Sequence, residues 1–322
     1  MKKLVTLFII GFVFLAANTA SAYTSAMKRE MIDNWRNAQL AIKLHNYAES
    51  IKYLKRLYHE VPENVQGQVA ENISVSYLNM HQMKKAFKWM KIAANAGEIQ
   101  SEFNVSHMYF LLKDYKNSMK WVKRVMENKA DNDAVHAAAL YSMGVFYHRG
   151  YGVEANMDTA IEWYRKAAEA GSLRGMTDLA VELQKRKHCG EAKMWLEKAA
   201  ASHDPKYVFN LAIFLTDNTT CACGKNGDKA IKLLKEAAKH LLPARMRLGE
   251  VYFLGACGVE QSYPKAAKWF YITGVSAVKT HNKAAAKQAL SRLMLVRVET
   301  KTKIKNLDKA ITKLNALISK IS

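Results

Sequence analysis

The chain is poor in residues that interrupt regular structure: four prolines and fifteen glycines in 322 residues. With half of the residues hydrophobic, that scarcity points to a folded, mostly helical chain. Cysteine is absent before Cys189, which excludes a lipid-bearing cysteine near the N-terminus. The apolar run Leu4–Ala16 is shorter than the roughly 20 residues that span a bilayer, and no later stretch is a second candidate. C-x-x-C, C-x-x-C-H, H-E-x-x-H, G-x-S-x-G and a phosphate-binding glycine loop are missing, so thiol redox, haem, zinc-peptidase, esterase and nucleotide chemistry have no motif behind them. Acids are scarce against bases, 28 to 49, giving a formal charge of +21.

What is present begins with a leader. "MKKLVTLFIIGFVFLAANTASA" has a Lys2/Lys3 head, an apolar stretch, and Ala20 and Ala22 at the spacing signal peptidase accepts. Residues 1–22 are expected to be a signal peptide cleaved near Ala22, leaving a periplasmic or secreted protein that starts at Tyr23. Its charge is then 21 − 2 = +19, enough to draw it to an anionic surface. No sequence-specific nucleic-acid motif accompanies that charge.

Seven segments share one pattern: a small residue, then a large, mostly aromatic one three positions on. The small residues are Ser50, Ala86, Ser118, Ala160, Ala192, Ala230 and Ala266, and their partners are Tyr53, Trp89, Trp121, Trp163, Trp195, Leu233 and Trp269. Twelve to eighteen residues upstream of each lies a second small residue: Ala38, Ser74, Ser106, Gly144, Ala180, Ala212 and Gly249. Spacings of three and four share a helix face, so each unit is expected to be a helix A, a turn and a helix B. The small residues mark where the two backbones cross too closely for a large side chain, and the aromatic one turn on is expected to fill the groove beside the crossing. Successive helix B positions fall 36, 32, 42, 32, 38 and 36 residues apart, the period of helix-pair solenoids.

Residues 140–180, "LYSMGVFYHRGYGVEANMDTAIEWYRKAAEAGSLRGMTDLA", carry M-G-x-x-Y, G-x-G-V and D-x-A-x-x-W-Y-x-K-A-A-x-x-G, close to the family pattern L-G-x-x-Y, G-x-G-V and D-x-x-x-A-x-x-W-Y-x-K-A-A-x-x-G. They resemble a Sel1-like repeat. "RLGEVYFLGACGVEQSYPKAAKWF" is similar but departs by one inserted residue, and "NYAESIKYLKRLYHEVP" looks more like a tetratricopeptide repeat. The resemblance covers about residues 31–275. It implies an all-α, right-handed α-solenoid of about seven antiparallel helix pairs over residues 23–275, and a protein or peptide partner held on the concave side. By similarity to tetratricopeptide repeats, partner-facing positions lie three before and one after the helix A small residue. The first set is Trp35, Glu71, Phe103, Tyr141, Thr177, Phe209 and Met246, and the second includes Val75, His107, Val145, Val181, Ile213 and Glu250. Trp35, Phe103, His107, Tyr141 and Phe209 are the binding candidates, with burial between repeats as the competing explanation.

Residues 276–322 carry eleven Lys or Arg against Glu299 and Asp308. Ile304, Leu307, Ile311, Leu314, Ile318 and Ile321 alternate spacings of three and four, which predicts a basic amphipathic helix. It is expected to cap the last repeat; a basic face for a membrane or partner helix is the alternative.

Cys189, Cys221, Cys223 and Cys257 fall between the small positions of three consecutive units. In an oxidising compartment they are expected to form two disulfides: Cys189 with Cys221 and Cys223 with Cys257, or the crossed version. Four scattered thiolates do not match the paired spacing of structural zinc, and no metal or cofactor is expected. Cysteine-rich Sel1-like proteins of Helicobacter, which these turns resemble, also carry interhelical disulfides. Some of that group bear the name β-lactamase, a chemistry that uses a serine in S-x-x-K. Ser262-Tyr263-Pro264-Lys265 and Ser276-Ala277-Val278-Lys279 match, without the S-D-N or K-T-G that should follow. The expectation is a non-catalytic binding scaffold. A weak β-lactam hydrolase and a polyanion binder acting through the tail are the alternatives.

Overall fold

The computed structural model describes residues 24–128, 132–217, 220–221, 226–255, 257–300 and 304–321. The leader and Cys223 lie outside these. Among the described residues there are sixteen α-helices and no strand, and they divide into two compact units, Met1–Ala170 and Gly171–Ser322.

The first unit holds α1 (Ser25–Lys43), α2 (Tyr47–Glu60), α3 (Glu63–Asn79), α4 (Met83–Asn95), α5 (Ile99–Leu111), α6 (Tyr115–Glu127), α7 (Asp133–Arg149) and α8 (Met157–Glu169). The second holds α9 (Leu173–Lys185), α10 (Cys189–Ala200), α11 (Pro205–Thr216), α12 (Gly227–Ala237), α13 (Leu242–Leu254), α14 (Tyr263–Lys279), α15 (Lys283–Glu299) and α16 (Leu307–Ile318). Odd-numbered helices up to α13 are helix A of a repeat, and each packs against the even-numbered helix B that follows it.

The crossing residues are buried in all seven repeats. Two crossings are visible as hydrogen bonds: Ser74 Oγ donates to the Ala86 carbonyl at 2.9 Å, and Ser118 Oγ to the Ser106 carbonyl at 2.7 Å. A hydroxyl thus stands where two backbones meet and is satisfied by the opposite one. Ser50 differs, since its hydroxyl is fully buried without a hydrogen-bond partner. We expect Ser118→Ala to cost about 1 kcal/mol and Ser50→Ala to stabilise by a similar amount, because an unmade buried hydrogen bond costs more than a missing hydroxyl. Urea unfolding of the two variants checks the sign.

One expectation about packing is corrected. Most aromatics three positions after the helix B small residue are only half-buried, Trp89, Trp121, Trp163 and Trp269 among them; Trp195 alone of the tryptophans at this position is buried. The filling residue comes one position later: Leu54, Met90, Val122, Tyr164, Leu196, Leu234 and Phe270, every one nearly inaccessible. On a helix of 3.6 residues per turn, the fourth residue tracks a contact line better than the third.

The end of the chain also differs from expectation. Helix α14 runs on to Lys279, so the expected boundary at residues 275/276 falls inside it, and the tail contributes two helices rather than one. Thr280-His281-Asn282 makes a tight turn with His281 at φ 53°, and Asn282 caps α15 through its side chain. Helix α15 packs on α14, and α16 packs on both. The seam of Leu307, Ile311, Leu314 and Ile318 is buried, and a Cβ on Gly274 of α14 would stand 2.5 Å from Leu314. Lys283 Nζ donates to the Ile321 carbonyl. The capping role therefore belongs to α16, with α15 as the layer beneath it.

Candidate protein-binding faces on the helix A layers

In the first unit, the helix A layer is α1, α3, α5 and α7. Trp35, Phe103 and Tyr141 occupy the same register on α1, α5 and α7, three residues before the crossing. All three are half-buried. Trp35 packs against the Met31–Ala38–Leu54 cluster, Phe103 against Ile99, Met143 and their neighbours, and Tyr141 stacks on Tyr164 with ring centroids 5.7 Å apart. One turn beyond Phe103, His107 is exposed. Each ring is thus fixed by the core on one side, which reduces the ordering cost of a contact made on the other.

Glu71 takes the aromatic's place on α3. Its Oε1 accepts from Ser101 Oγ of α5 at 3.1 Å, joining two helix A segments. Burial, and then the neighbouring Glu98 carboxylate, push the Glu71 carboxyl above its usual value, while the Ser101 hydroxyl partly offsets this; burial also raises Glu98. A carboxyl whose folded pKa exceeds its unfolded one binds its proton more tightly when folded. Its stabilising contribution is complete below the unfolded pKa and is lost as pH rises through the elevated one. We expect Glu71→Gln to unfold at higher urea than the parent at pH 8, with the gain shrinking at pH 5; equal gains at both pH values would contradict the burial effect.

A second carboxylate of the first unit is held differently. Glu102 is 1% exposed and receives Arg124 Nε at 2.7 Å and Asn128 Nδ2 at 3.0 Å. The same guanidinium donates to the Ala94 carbonyl and Asn95 Oδ1 at the end of α4. This cluster ties three helices around the buried Glu102 carboxylate, a structural role.

In the second unit, the helix A layer is α9, α11, α13 and α15. Phe209 is half-buried on α11, and around it the layer is polar. Arg174 hydrogen-bonds the Tyr207 hydroxyl, and burial raises that phenol's pKa. Gln184 donates to Asp217 at 2.6 Å. Arg247 of α13 donates to the Thr216 carbonyl at 2.9 Å, and Glu250 joins Arg247 at 3.4 Å and Arg292 of α15 at 3.3 Å. These links make α15 the next member of the layer. Of the candidate rings, the fold therefore brings Trp35, Phe103, His107 and Tyr141 to one unit and Phe209 to the other. Glu71 and Glu250 occupy the same registers, but a charged residue there carries no signal of an aromatic anchor.

Cys189, Cys221 and Cys257 lie at the helix A to helix B connections. Cys189 and Cys221 are bonded, with Cα atoms 5.8 Å apart. Cys189 is the first residue of α10 rather than part of the turn before it. Cys257 is also disulfide-bonded, and its carbonyl accepts from Gly227 at the start of α12. A Cβ on Gly227 would meet Val259 and that carbonyl at 2.5 and 2.6 Å, so the loop after α13 presses directly on α12. Among the described residues no three His, Cys, Asp or Glu gather as a metal site. The S-x-x-K pairs have local explanations: Ser262 immediately precedes α14 while Lys265 lies over the Tyr252 ring at 5.3 Å, and Ser276 and Lys279 are simply one turn apart on α14.

Repeated antiparallel helix pairs with small crossing residues define the chain as an α-solenoid repeat protein. It carries Sel1-like repeats: the Sel1 repeat model matches residues 81–98, 137–172, 189–204, 220–240 and 242–272. Two solved structures share the fold. A protective antigen present in uropathogenic Escherichia coli strains, displaying an SLR fold, aligns at TM-score 0.64 and 19% identity, over 91% of this chain and 62% of the antigen. A Sel1 repeat protein from Oxalobacter formigenes aligns at TM-score 0.55 and 23% identity, over 74% of this chain and 98% of that one. The chitin synthase regulator SKT5 of Saccharomyces cerevisiae is 24% identical over 254 residues, and the match spans 72% of this chain but 35% of the regulator. Sel1 repeats generally serve as protein-interaction scaffolds.

Proposed function

We propose that the chain is a periplasmic or secreted, non-catalytic scaffold that holds a partner polypeptide on its helix A layers, as an adaptor, host-contact factor or inhibitor. The observation carrying this is the first unit's row: Trp35, Phe103 and Tyr141 recur at one register, each anchored by the core yet still partly open, with exposed His107 beside them. Half-buried aromatics on a rigid support are the side chains that dominate protein-binding energy. The leader-like first 22 residues support export, and the name of the yeast relative supports a regulatory rather than catalytic role.

Photo-crosslinking tests the proposal. A benzophenone amino acid at exposed His107 should give one discrete protein adduct in the native host, whereas the same probe at exposed Met194 of α10 should not. Combining Phe103→Ala with Tyr141→Ala should weaken the captured complex by about thirtyfold or more, the scale of one anchoring residue. Absence of any adduct at His107, or an adduct unaffected by the double variant, would remove the helix A face from the proposal. Export is tested separately, by whether the native protein begins at Tyr23 in a periplasmic or medium fraction.

A further inference from the structure

The outward faces of the helix B segments are not uniform, and repeat register exposes the difference. Two positions after the crossing residue stand Lys52 on α2, Lys88 on α4 and Lys120 on α6; five positions after it stand Lys55, Lys91 and Lys123. Two before it, α4 and α6 add Lys84 and Lys116. At the fourth repeat the sign reverses, with Asp158 two before and Glu162 two after. Helix α4 carries no acid at all, and the acids of α6 are confined to Glu127 at its end.

These helices are neighbours. The Tyr58 and Trp89 rings join α2 to α4 edge-to-face at 5.2 Å, and Arg124 of α6 donates to the Ala94 carbonyl and to Asn95 Oδ1 at the end of α4. Equivalent positions recur on the same face of successive helix B segments, so the lysines form two rows across the three helices. Lys84, Lys88, Lys116, Lys120 and Lys123 are exposed, and among the described residues none of them forms an ion pair. Each lysine of the first row is followed directly by a half-buried ring: Lys52-Tyr53, Lys88-Trp89 and Lys120-Trp121.

We infer that the α2–α4–α6 outer face of the first unit docks on an anionic lipid surface. Three features select that partner among polyanions. The array extends in two dimensions, matching a sheet of headgroups better than a single nucleic-acid strand. Its cations are lysines, point charges on flexible stems that suit mobile phosphates and are depleted at protein–protein interfaces. Its interleaved Trp and Tyr rings, apolar on one side and polar at one end, are the side chains favoured at the headgroup level. This surface shares no residue with the helix A layers or the basic tail, so its failure leaves the scaffold proposal standing.

Co-sedimentation of the full protein with vesicles of phosphatidylcholine, with and without 30% phosphatidylglycerol, tests it. Binding should require the anionic lipid and fall steeply with salt. Replacing one row (Lys52→Gln, Lys88→Gln, Lys120→Gln) should lower affinity about 100-fold, since each lysine near such a surface contributes about fivefold. Replacing Lys287, Lys309 and Lys313 in the last two helices should lower it less than fivefold. Equal losses from the two triples would place the binding in net charge or the tail and overturn the inference. So would the absence of binding to the anionic vesicles, or tighter row-dependent binding to duplex DNA or heparin than to those vesicles. Unchanged thermal melting of both triples excludes unfolding as the cause.

Discussion

Replacing Cys189 and Cys221 together by serine is expected to destabilise the second unit by about 3–4 kcal/mol, the loop entropy regained by the unfolded chain when a crosslink is cut across a separation of 32 residues. For a unit of about this size, that corresponds to a fall in melting temperature of roughly 10 °C. Changing both residues leaves no unpaired thiol of this bridge to exchange with the other disulfide. The bond joins the first residue of α10 to the loop after α11, so it restrains the second unit alone. Hydrogen exchange should show weakened protection in α9 to α12 and no change in α3 to α7. A loss below about 1 kcal/mol would mean that the repeat interfaces already confine the unfolded segment. A loss of protection in the first unit would mean that the units are not independent in stability.

Where backbones must touch, the repeat is written in small residues, and all fourteen crossing positions could be placed from spacing alone. The tail was harder. The isoleucine and leucine seam over residues 304–321 is conspicuous and drew the whole segment into a single helix, whereas α15 buries a quieter stripe of Ala286, Ala289, Leu290 and Leu293. A turn signal was nevertheless present. His281-Asn282 repeats the His45-Asn46 arrangement of the first repeat: both histidines are left-handed, at φ 53° and 56°, and both asparagines cap the following helix through their side chains. A non-glycine residue in that conformation is easily missed because glycine is the usual marker. The polar links of the helix A layers were not legible, because Thr216–Arg247 and Glu250–Arg292 join residues 31 and 42 positions apart with no local pattern.

The crossing residues also constrain each other in volume. The two repeats with glycine on helix A, at Gly144 and Gly249, are those with an aromatic filler on helix B, Tyr164 and Phe270; the five with alanine or serine have leucine, methionine or valine. The geometry accounts for this, since a Cβ built on Gly249 would lie 2.4 Å from a ring carbon of Phe270, and one on Gly144 the same distance from Tyr164. Such a separation is far inside contact distance, and a buried ring has nowhere to move. Gly249→Ala is therefore expected to destabilise by about 2–3 kcal/mol, the overpacking penalty exceeding the roughly 1 kcal/mol that alanine gains over glycine inside a helix. Phe270→Leu alone should cost a comparable amount through the space it leaves. The double variant recreates the Ala–Leu pairing already used by Ala180 with Leu196 and by Ala212 with Leu234, all buried. It should recover to within about 1 kcal/mol of the parent, a coupling of several kcal/mol that only contacting residues can show. If instead the two losses add, the ring does not sit over the glycine and the volume rule fails. Tyr164 is less suited to this cycle, because its hydroxyl bonds His148 at 3.0 Å and that loss would be mixed with the packing change.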